Sequence, residues 1–169
     1  MRPSATRLRT RVAIALATAG GAGYAPIAPG TAGSVVGALV FVPLAGLGPG
    51  PFAAALVALL AAGTWAAGEV ERHYGRKDDG RIVIDEVVGQ LLALAPLLWV
   101  PGGPRHPLWL VTGFVVFRCL DVWKPGPVRR AERSLRGGAG VMMDDVLAGL
   151  LGAACLGAAA VAMGAVEAV

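Results

Sequence analysis

Ile82-Val83-Ile84-Asp85-Glu86-Val87-Val88-Gly89 sets two adjacent carboxylates among β-branched apolar residues. Such neighbours make a carboxylate costly to desolvate unless a cation or hydrogen bonds compensate its charge. We predict a helix from about residue 81 to residue 100, ended by Pro101-Gly102-Gly103-Pro104. The helix dipole favours carboxylates in a first turn, so a structural role is the alternative. The apolar residues on both sides of the pair favour a functional role.

A second acidic stretch runs from Asp121-Val122-Trp123-Lys124-Pro125-Gly126-Pro127 to Val141-Met142-Met143-Asp144-Asp145-Val146. Clustered oxygen ligands without histidine or cysteine are typical of Mg²⁺. We therefore expect a Mg²⁺ site for phosphate chemistry, in which Lys124 and nearby arginines neutralise charge on the transferred group. The candidate ligands are five of the eleven acidic residues: Asp85, Glu86, Asp121, Asp144 and Asp145.

Composition indicates an all-α membrane protein. Apolar residues make up 56% of the chain and charged residues 15%, against roughly 45–50% and ~25% in soluble domains. The mean hydropathy is +0.66. A soluble helical protein with an Ala-rich core is the alternative. We expect a compact fold of short apolar helices with a polar active site at one face of the membrane.

The placement of basic residues predicts which loops share a side of the membrane. Arginine and lysine cluster near the N-terminus and in the loops 69–81 and 118–145, while the loops 48–51 and 101–107 carry little charge. By the positive-inside rule the basic loops are cytoplasmic, which places all five candidate carboxylates on that side. Nucleic acid is not an expected partner, because no long basic face or aromatic platform accompanies the arginines.

The expected organisation is a basic tail and short helix over residues 1–22, followed by one helical domain over residues 23–169. Residues 1–11 are predicted to be a flexible tail. The run from Arg7 to Ala19 also resembles a signal peptide, but retention is favoured because the following Pro26 to Ser34 belongs to the candidate site. Helices at about 35–47 and 52–67 have arms of only ~13–18 apolar residues, so only the last helix, about 146–166, spans comfortably.

The segment from Gly23 to Ser34 contains two prolines and three glycines, which argue against a regular helix through most of it. Thr31 is a candidate N-cap for the next helix, whose free N-terminus can bind an anion. A hinge leading into a membrane helix is the alternative, and spacing alone does not separate the two. We assign Gly30, Thr31 and Ser34 to substrate binding.

Three further residues are assigned to substrate binding. Arg118 either contacts the substrate or pairs with Asp121 on the same helix face. Arg129 belongs to a basic segment that anionic headgroups attract. Gly138 lies in a predicted flexible loop, residues 137–140, whose amides can approach phosphate closely. Asp144 is predicted to open the last helix, where a simple capping role is its alternative.

Several phosphate chemistries are excluded. The chain has no Gly-x-x-x-x-Gly-Lys loop for a nucleotide. Cys119 is followed six residues on by Pro125, not by the arginine of a cysteine phosphatase, and Asp121 lacks the second aspartate of an aspartyl-phosphate hydrolase. His106 lies on the side opposite to the carboxylates by the charge count, so a histidine nucleophile is not expected.

Three ordered blocks resemble the phosphatidylglycerophosphatase A family, Mg²⁺-dependent bacterial membrane enzymes that convert phosphatidylglycerophosphate to phosphatidylglycerol. The blocks are Ala28-Pro29-Gly30-Thr31-Ala32-Gly33-Ser34, Ile84-Asp85-Glu86-Val87-Val88-Gly89, and Phe117-Arg118 through Asp121 to Gly137-Gly138 and Asp144-Asp145. The resemblance covers roughly residues 20–160 and implies a helical fold, Mg²⁺ and a phospholipid substrate. By motif position it implies a site of Asp85, Glu86, Asp121, Lys124, Asp144 and Asp145.

The motif does not say which carboxylate binds metal and which acts as base, and the oligomeric state is not predicted. Among these residues, Asp85, Glu86, Asp121, Lys124 and Asp145 are our candidates for catalysis. Two other functions stay open. A small transporter or scaffold would distribute carboxylates at depth along several helices, and a membrane-associated phosphatase could act on another phosphomonoester.

Overall fold

The computed structural model describes residues 4–77, 79–123 and 137–164, with side chains from residue 7 onward. Helices make up the secondary structure of these ranges, which contain no strand, so the predicted all-α class is confirmed. The α-helices are α1 (Ser4–Ala17), α2 (Pro29–Ala45), α3 (Pro49–Tyr74), α4 (Ile84–Leu94), α5 (Pro107–Trp123) and α6 (Gly138–Ala162). Short 3-10 helices cover Ala19–Tyr24, Ala95–Trp99 and Gly103–Arg105.

Helix α4, which begins with the acidic pair, lies at the centre of the bundle. It packs mainly against α6 on one side and α2 on the other, and nine of its eleven residues are buried. Glycines allow these close approaches. A Cβ on Gly149 of α6 would lie 2.5 Å from the Gly89 carbonyl oxygen of α4, and one on Gly33 of α2 would lie 2.8 Å from the Val83 carbonyl oxygen. Small residues therefore bring both neighbours against the backbone of α4.

Two helices are long and apolar enough to cross a membrane, α3 with 26 residues and α6 with 25. Only 22% and 33% of their most apolar windows are buried inside the protein. The core helix of a soluble protein would be mostly covered, whereas helices in a bilayer present apolar residues to lipid. Length and exposure together fit a compact helical membrane protein, and α3 is longer than the sequence predicted.

The N-terminal half differs from the prediction in two places. Residues from Ser4 onward form helix α1, which packs on α3, so the predicted flexible tail is wrong over the described part. A salt bridge of 3.2 Å from Arg9 to Glu69 fixes this packing. Helix α2 begins at Pro29, because proline is well placed in a first helical turn. Thr31 therefore lies inside the helix and is not its N-cap.

The C-terminal half differs in similar ways. Helix α4 ends at Leu94 and continues as a 3-10 helix, six residues before the predicted end near Val100. Helix α6 begins at Gly138, so the predicted loop 137–140 is mostly helical and Asp144 does not cap a helix. The reason is packing, since a Cβ on Gly138 would lie 1.9 Å from the Thr64 carbonyl oxygen of α3. Glycine is favoured there by close helix contact, which outweighs its low helix propensity.

The structure also brings together the loops that the charge pattern grouped. The C-terminal end of α2 (Val42, Ala45 and the following Gly46), next to the weakly charged loop 48–51, lines one cavity with residues of the weakly charged loop before α5 (Gly102, Pro104 and Arg105). Gly30 of α2, Asp121 of α5 and the acidic start of α4 line another cavity. The second cavity contains the candidate site.

Candidate active site

All five predicted carboxylates line one cavity of about 340 Å³. The cavity is formed by the N-terminal turn of α2, the loop before α4, the first turn of α4, the last turn of α5 and the second turn of α6. Its lining residues are Pro29, Gly30, Gly80, Ile82, Asp85, Glu86, Asp121, Val122, Asp144 and Asp145. The structure therefore brings together carboxylates that lie up to 60 positions apart in the sequence.

Three of the carboxylates form a closer group, which we call the carboxylate triad: Asp85, Glu86 and Asp145. Each offers one oxygen, and the three oxygens lie within 4.8 Å of one another. Within the described part of the chain, one buried oxygen of each residue lacks a hydrogen-bond partner: Asp85 Oδ1, Glu86 Oε2 and Asp145 Oδ2. Buried, unpartnered carboxylates are expensive, and a hard divalent cation with oxygen ligands compensates for that cost. The triad thus fits a divalent cation.

Burial also changes the protonation of the α4 pair. Desolvation raises the pKa of Asp85 well above its ordinary value, and the negative charges of Glu86 and Asp144 raise it further. Desolvation likewise raises the pKa of Glu86, although a hydrogen bond with Asp85 and the positive charge of Arg118 oppose the shift. A buried negative charge on these carboxylates can be neutralised either by a proton or by a bound cation. Protons and a cation therefore compete for the same oxygens.

Asp121 is held in a different way, by an arginine one helical turn earlier. Arg118 Nη1 donates a hydrogen bond of 2.5 Å to Asp121 Oδ2 and one of 3.4 Å to Ser34 Oγ. Ser34 Oγ in turn donates to the Gly30 carbonyl oxygen at 3.0 Å. The pairing of Arg118 with Asp121 that the sequence left open is therefore present. Within the described residues both hydrogen bonds of Arg118 use Nη1, which leaves its other amino group available to an anion.

Gly30 makes room for the triad. A Cβ at this position would lie 2.2 Å from Glu86 Oε1 and 3.5 Å from Arg118 Nη1. The residue before α2 turns sharply, since Ala28 adopts a left-handed conformation with φ of 51°. Any larger side chain at position 30 would displace the Glu86 carboxylate. Gly30 thus allows α2 to begin directly against the site.

The other predicted substrate-binding residues are placed differently. Ser34 is buried beneath Arg118, and Thr31 is not among the residues that line the cavity. Gly138 packs against Thr64 and Gly68 of α3. Lys124 and Arg129 lie outside the described residues.

Two polar residues near the cavity were not predicted from the sequence. Asp79 is buried and bonds Arg81 through both oxygens, at 2.7 Å from Nε to Oδ1 and 2.6 Å from Nη2 to Oδ2. The Arg81 guanidinium lies 3.9 Å from the centre of the Tyr74 ring, so the loop that contributes Gly80 and Ile82 is anchored. Gln90 is fully buried one turn after Glu86. No motif typical of a binding site marks either residue in the sequence.

Comparisons with known proteins identify the relatives of this chain. The sequence profile of the family described as "Phosphatidylglycerophosphatase A" matches residues 15–160. Phosphatidylglycerophosphatase A of Escherichia coli is 37% identical over 143 residues, which cover 83% of this chain and 79% of that protein. Its namesake in Haemophilus influenzae is 34% identical over 139 residues, 80% of each chain.

A third relative carries a different name. A Bacteroides thetaiotaomicron protein described as a candidate phosphatidylinositol-3-phosphatase is 42% identical over 142 residues, which cover 81% of this chain and 86% of that protein. No solved structure matches the chain significantly.

The range matched by the family profile contains α2 to α5 and all five carboxylates of the cavity. The names of the three relatives all describe removal of a phosphate from a phospholipid. The resemblance carried by the three sequence blocks is confirmed. The chain therefore belongs to the phosphatidylglycerophosphatase A family of phosphatases.

Proposed function

We propose that this protein is a Mg²⁺-dependent phosphatase that hydrolyses the terminal phosphomonoester of phosphatidylglycerophosphate and releases phosphatidylglycerol. We further propose that it acts at the cytoplasmic face of the bacterial inner membrane. The observation that carries the proposal is the carboxylate triad in an open cavity: each residue offers one oxygen within 4.8 Å of the others, and each has a buried oxygen without a hydrogen-bond partner among the described residues. Such a site suits a cation and the phosphate that the cation binds.

We assign the carboxylate triad to cation binding, and Asp121 and Arg118 to the attacking water and the substrate phosphate. Asp85, Glu86 and Asp145 would hold Mg²⁺, which when bound supplies charge neutralisation and an acidified water. Asp121 lies outside the triad and lines the same cavity in an ion pair with Arg118. This ionised carboxylate is placed to accept the proton of the attacking water. The free amino group of Arg118 is placed to orient the phosphate oxygens.

Apolar side chains at the mouth of the cavity support a lipid substrate. Val122 lines the cavity and is 73% exposed, and Ile27, two residues before Pro29, is 85% exposed. A soluble phosphomonoester gains nothing from such a rim, whereas a lipid keeps its apolar part in contact with it while the phosphate enters. The rim therefore favours a lipid over a soluble substrate.

A second candidate substrate is phosphatidylinositol 3-phosphate, which the name of the Bacteroides relative favours. It carries the same chemical group, a phosphomonoester on a membrane lipid, so the triad serves either substrate equally well. The two differ in the size of the alcohol that must fit the cavity.

The test is phosphate release by purified protein in mixed micelles. Phosphatidylglycerophosphate, phosphatidylinositol 3-phosphate and glycerol 3-phosphate are compared with Mg²⁺ and with EDTA. We expect release from phosphatidylglycerophosphate to be fastest and to stop in EDTA. The variant Asp145→Asn should be inactive, while the control Glu71→Gln, a carboxylate on α3 away from the cavity, should retain activity. Full activity in EDTA would refute the cation mechanism, and preference for another substrate would refute the assignment of the lipid.

A further inference from the structure

Gln90 is the most buried polar side chain next to the carboxylate triad. It is 0% exposed, and neither its Oε1 nor its Nε2 has a hydrogen-bond partner among the described residues. Burying an amide without hydrogen-bond partners is unfavourable, because each polar atom loses its contact with water. We therefore expect Gln90 to bond a group that the structure does not contain, such as a buried water.

The position of Gln90 on α4 relates it to Glu86. The two residues are four apart and so occupy the same face of the helix. Both face α2, where a Cβ on Gly33 would lie 3.3 Å from Glu86 Cβ and one on Gly37 would lie 2.9 Å from Gln90 Cβ. Helical side chains lean toward the N-terminus. The amide of Gln90 therefore leans out of the apolar core, toward the turn that carries Glu86.

The unpartnered atoms of the two residues are complementary. Glu86 Oε2 is a buried acceptor without a donor, and Gln90 Nε2 is a buried donor without an acceptor. The amide is uncharged, so it can serve a carboxylate without adding a charge that would repel a cation.

We propose that Gln90 is a positioning residue for Glu86, acting through one bound water that accepts a hydrogen bond from its Nε2 and donates one to Glu86 Oε2. This contact fixes the Glu86 carboxylate and leaves its other oxygen, Oε1, which lies beside the cavity-lining Gly30, for the cation. The inference rests on the cation site of the proposed function and adds a residue that does not touch the cation. Mutating a residue that hydrogen-bonds a metal ligand without touching the metal typically lowers metal affinity about 10–100-fold.

The test measures Mn²⁺ binding by calorimetry to metal-stripped protein in detergent, so the readout does not depend on activity. Gln90→Met keeps the length of the side chain and removes its hydrogen bonds. We expect this variant to fold and to bind Mn²⁺ about 10-fold more weakly than the wild type. The matched control is Leu91→Met, a fully buried neighbour on the same helix, which should keep the wild-type affinity.

A double-mutant cycle identifies the residue through which Gln90 acts. In a Glu86→Gln background, Gln90→Met should weaken Mn²⁺ binding no further, because the carboxylate that it orients is gone. The proposal is overturned if Gln90→Met binds Mn²⁺ like the wild type, if Leu91→Met is equally impaired, or if the effect persists without Glu86. The proposal is also overturned if the Gln90→Met protein does not fold, because the amide would then be required for folding and not for positioning Glu86. Wild-type protein that binds no Mn²⁺ refutes the cation site, a separate failure.

Discussion

Asp79 and Asp85 are the same residue type with almost the same burial, 7% and 9% exposed. Asp79 lies in the loop before α4 and Asp85 in the first turn of α4. Asp79 receives two hydrogen bonds from the Arg81 side chain and one from the Arg81 backbone N–H. Asp85 has an oxygen without a partner among the described residues and lies close to two more carboxylates. Arg81 supplies the countercharge for Asp79, whereas no cation of the described ranges forms a salt bridge with Asp85.

The two aspartates consequently differ in the direction of their pKa shift. Hydrogen bonds from Arg81 lower the pKa of Asp79, whereas desolvation and neighbouring negative charge raise that of Asp85. A buried carboxylate that the protein itself satisfies is part of the structure. One that the protein leaves unsatisfied inside a cavity is a candidate for binding.

The largest effect that separates the two residues should come from Asp85→Asn. Losing a triad ligand should lower phosphatase activity by at least about 100-fold. Mutating a residue that only hydrogen-bonds a metal ligand already lowers metal affinity or activity by up to about 100-fold. The same variant should melt at a higher temperature than the wild type in EDTA, since it removes an uncompensated buried charge. Micelle assays and thermal melts of both proteins measure this. A variant with both lower activity and lower metal-free stability would mean that Asp85 is structural, like Asp79.

The dependence of stability on pH should differ with and without Mg²⁺. In EDTA the raised pKa of Asp85 and of Glu86 means that the folded state retains protons that the unfolded state loses. Stability should therefore fall as pH rises from the ordinary carboxyl pKa to the raised values, and Mg²⁺ should restore it. Asp79 acts in the opposite direction, since its lowered pKa gives stability that is lost only as pH falls below the ordinary value.

Melting curves between pH 5 and pH 8 in EDTA and in Mg²⁺ test this dependence. The gap between the two melting temperatures should widen with pH and should shrink in Asp85→Asn. A gap that stays constant across the range would show that protons and the cation do not compete for these oxygens.

The smallest effect should come from Asp79→Asn. Removing the charge weakens the bonds to Arg81, whose side chain is 34% exposed and keeps some contact with solvent. The expected loss of unfolding free energy is therefore only about 1 kcal/mol. Activity should stay within a few-fold of the wild type, because Asp79 does not line the cavity. If activity falls as far as in Asp85→Asn, the loop before α4 takes a direct part in the reaction and the comparison fails.

The convergence of the five carboxylates could be predicted, because each lies near a basic loop and the charge pattern placed those loops on one side. The start of α6 at Gly138 could not, since glycine usually marks a turn and close contact with α3 makes it helical here. Proline suits both a turn and a first helical turn, so the sequence did not settle where α2 begins. The partners of Asp79 and the burial of Gln90 depend on the depth of each residue in the bundle. A sequence pattern shows which face a residue occupies and does not show its depth.

The central claim is that the carboxylate triad holds a divalent cation, and direct titration of Mg²⁺ into metal-stripped protein tests it most directly. Calorimetry should show a saturable site in the wild type and in Asp79→Asn, and should show none in Asp145→Asn. Equal Mg²⁺ binding by wild type and Asp145→Asn, or no binding by either, would contradict the account.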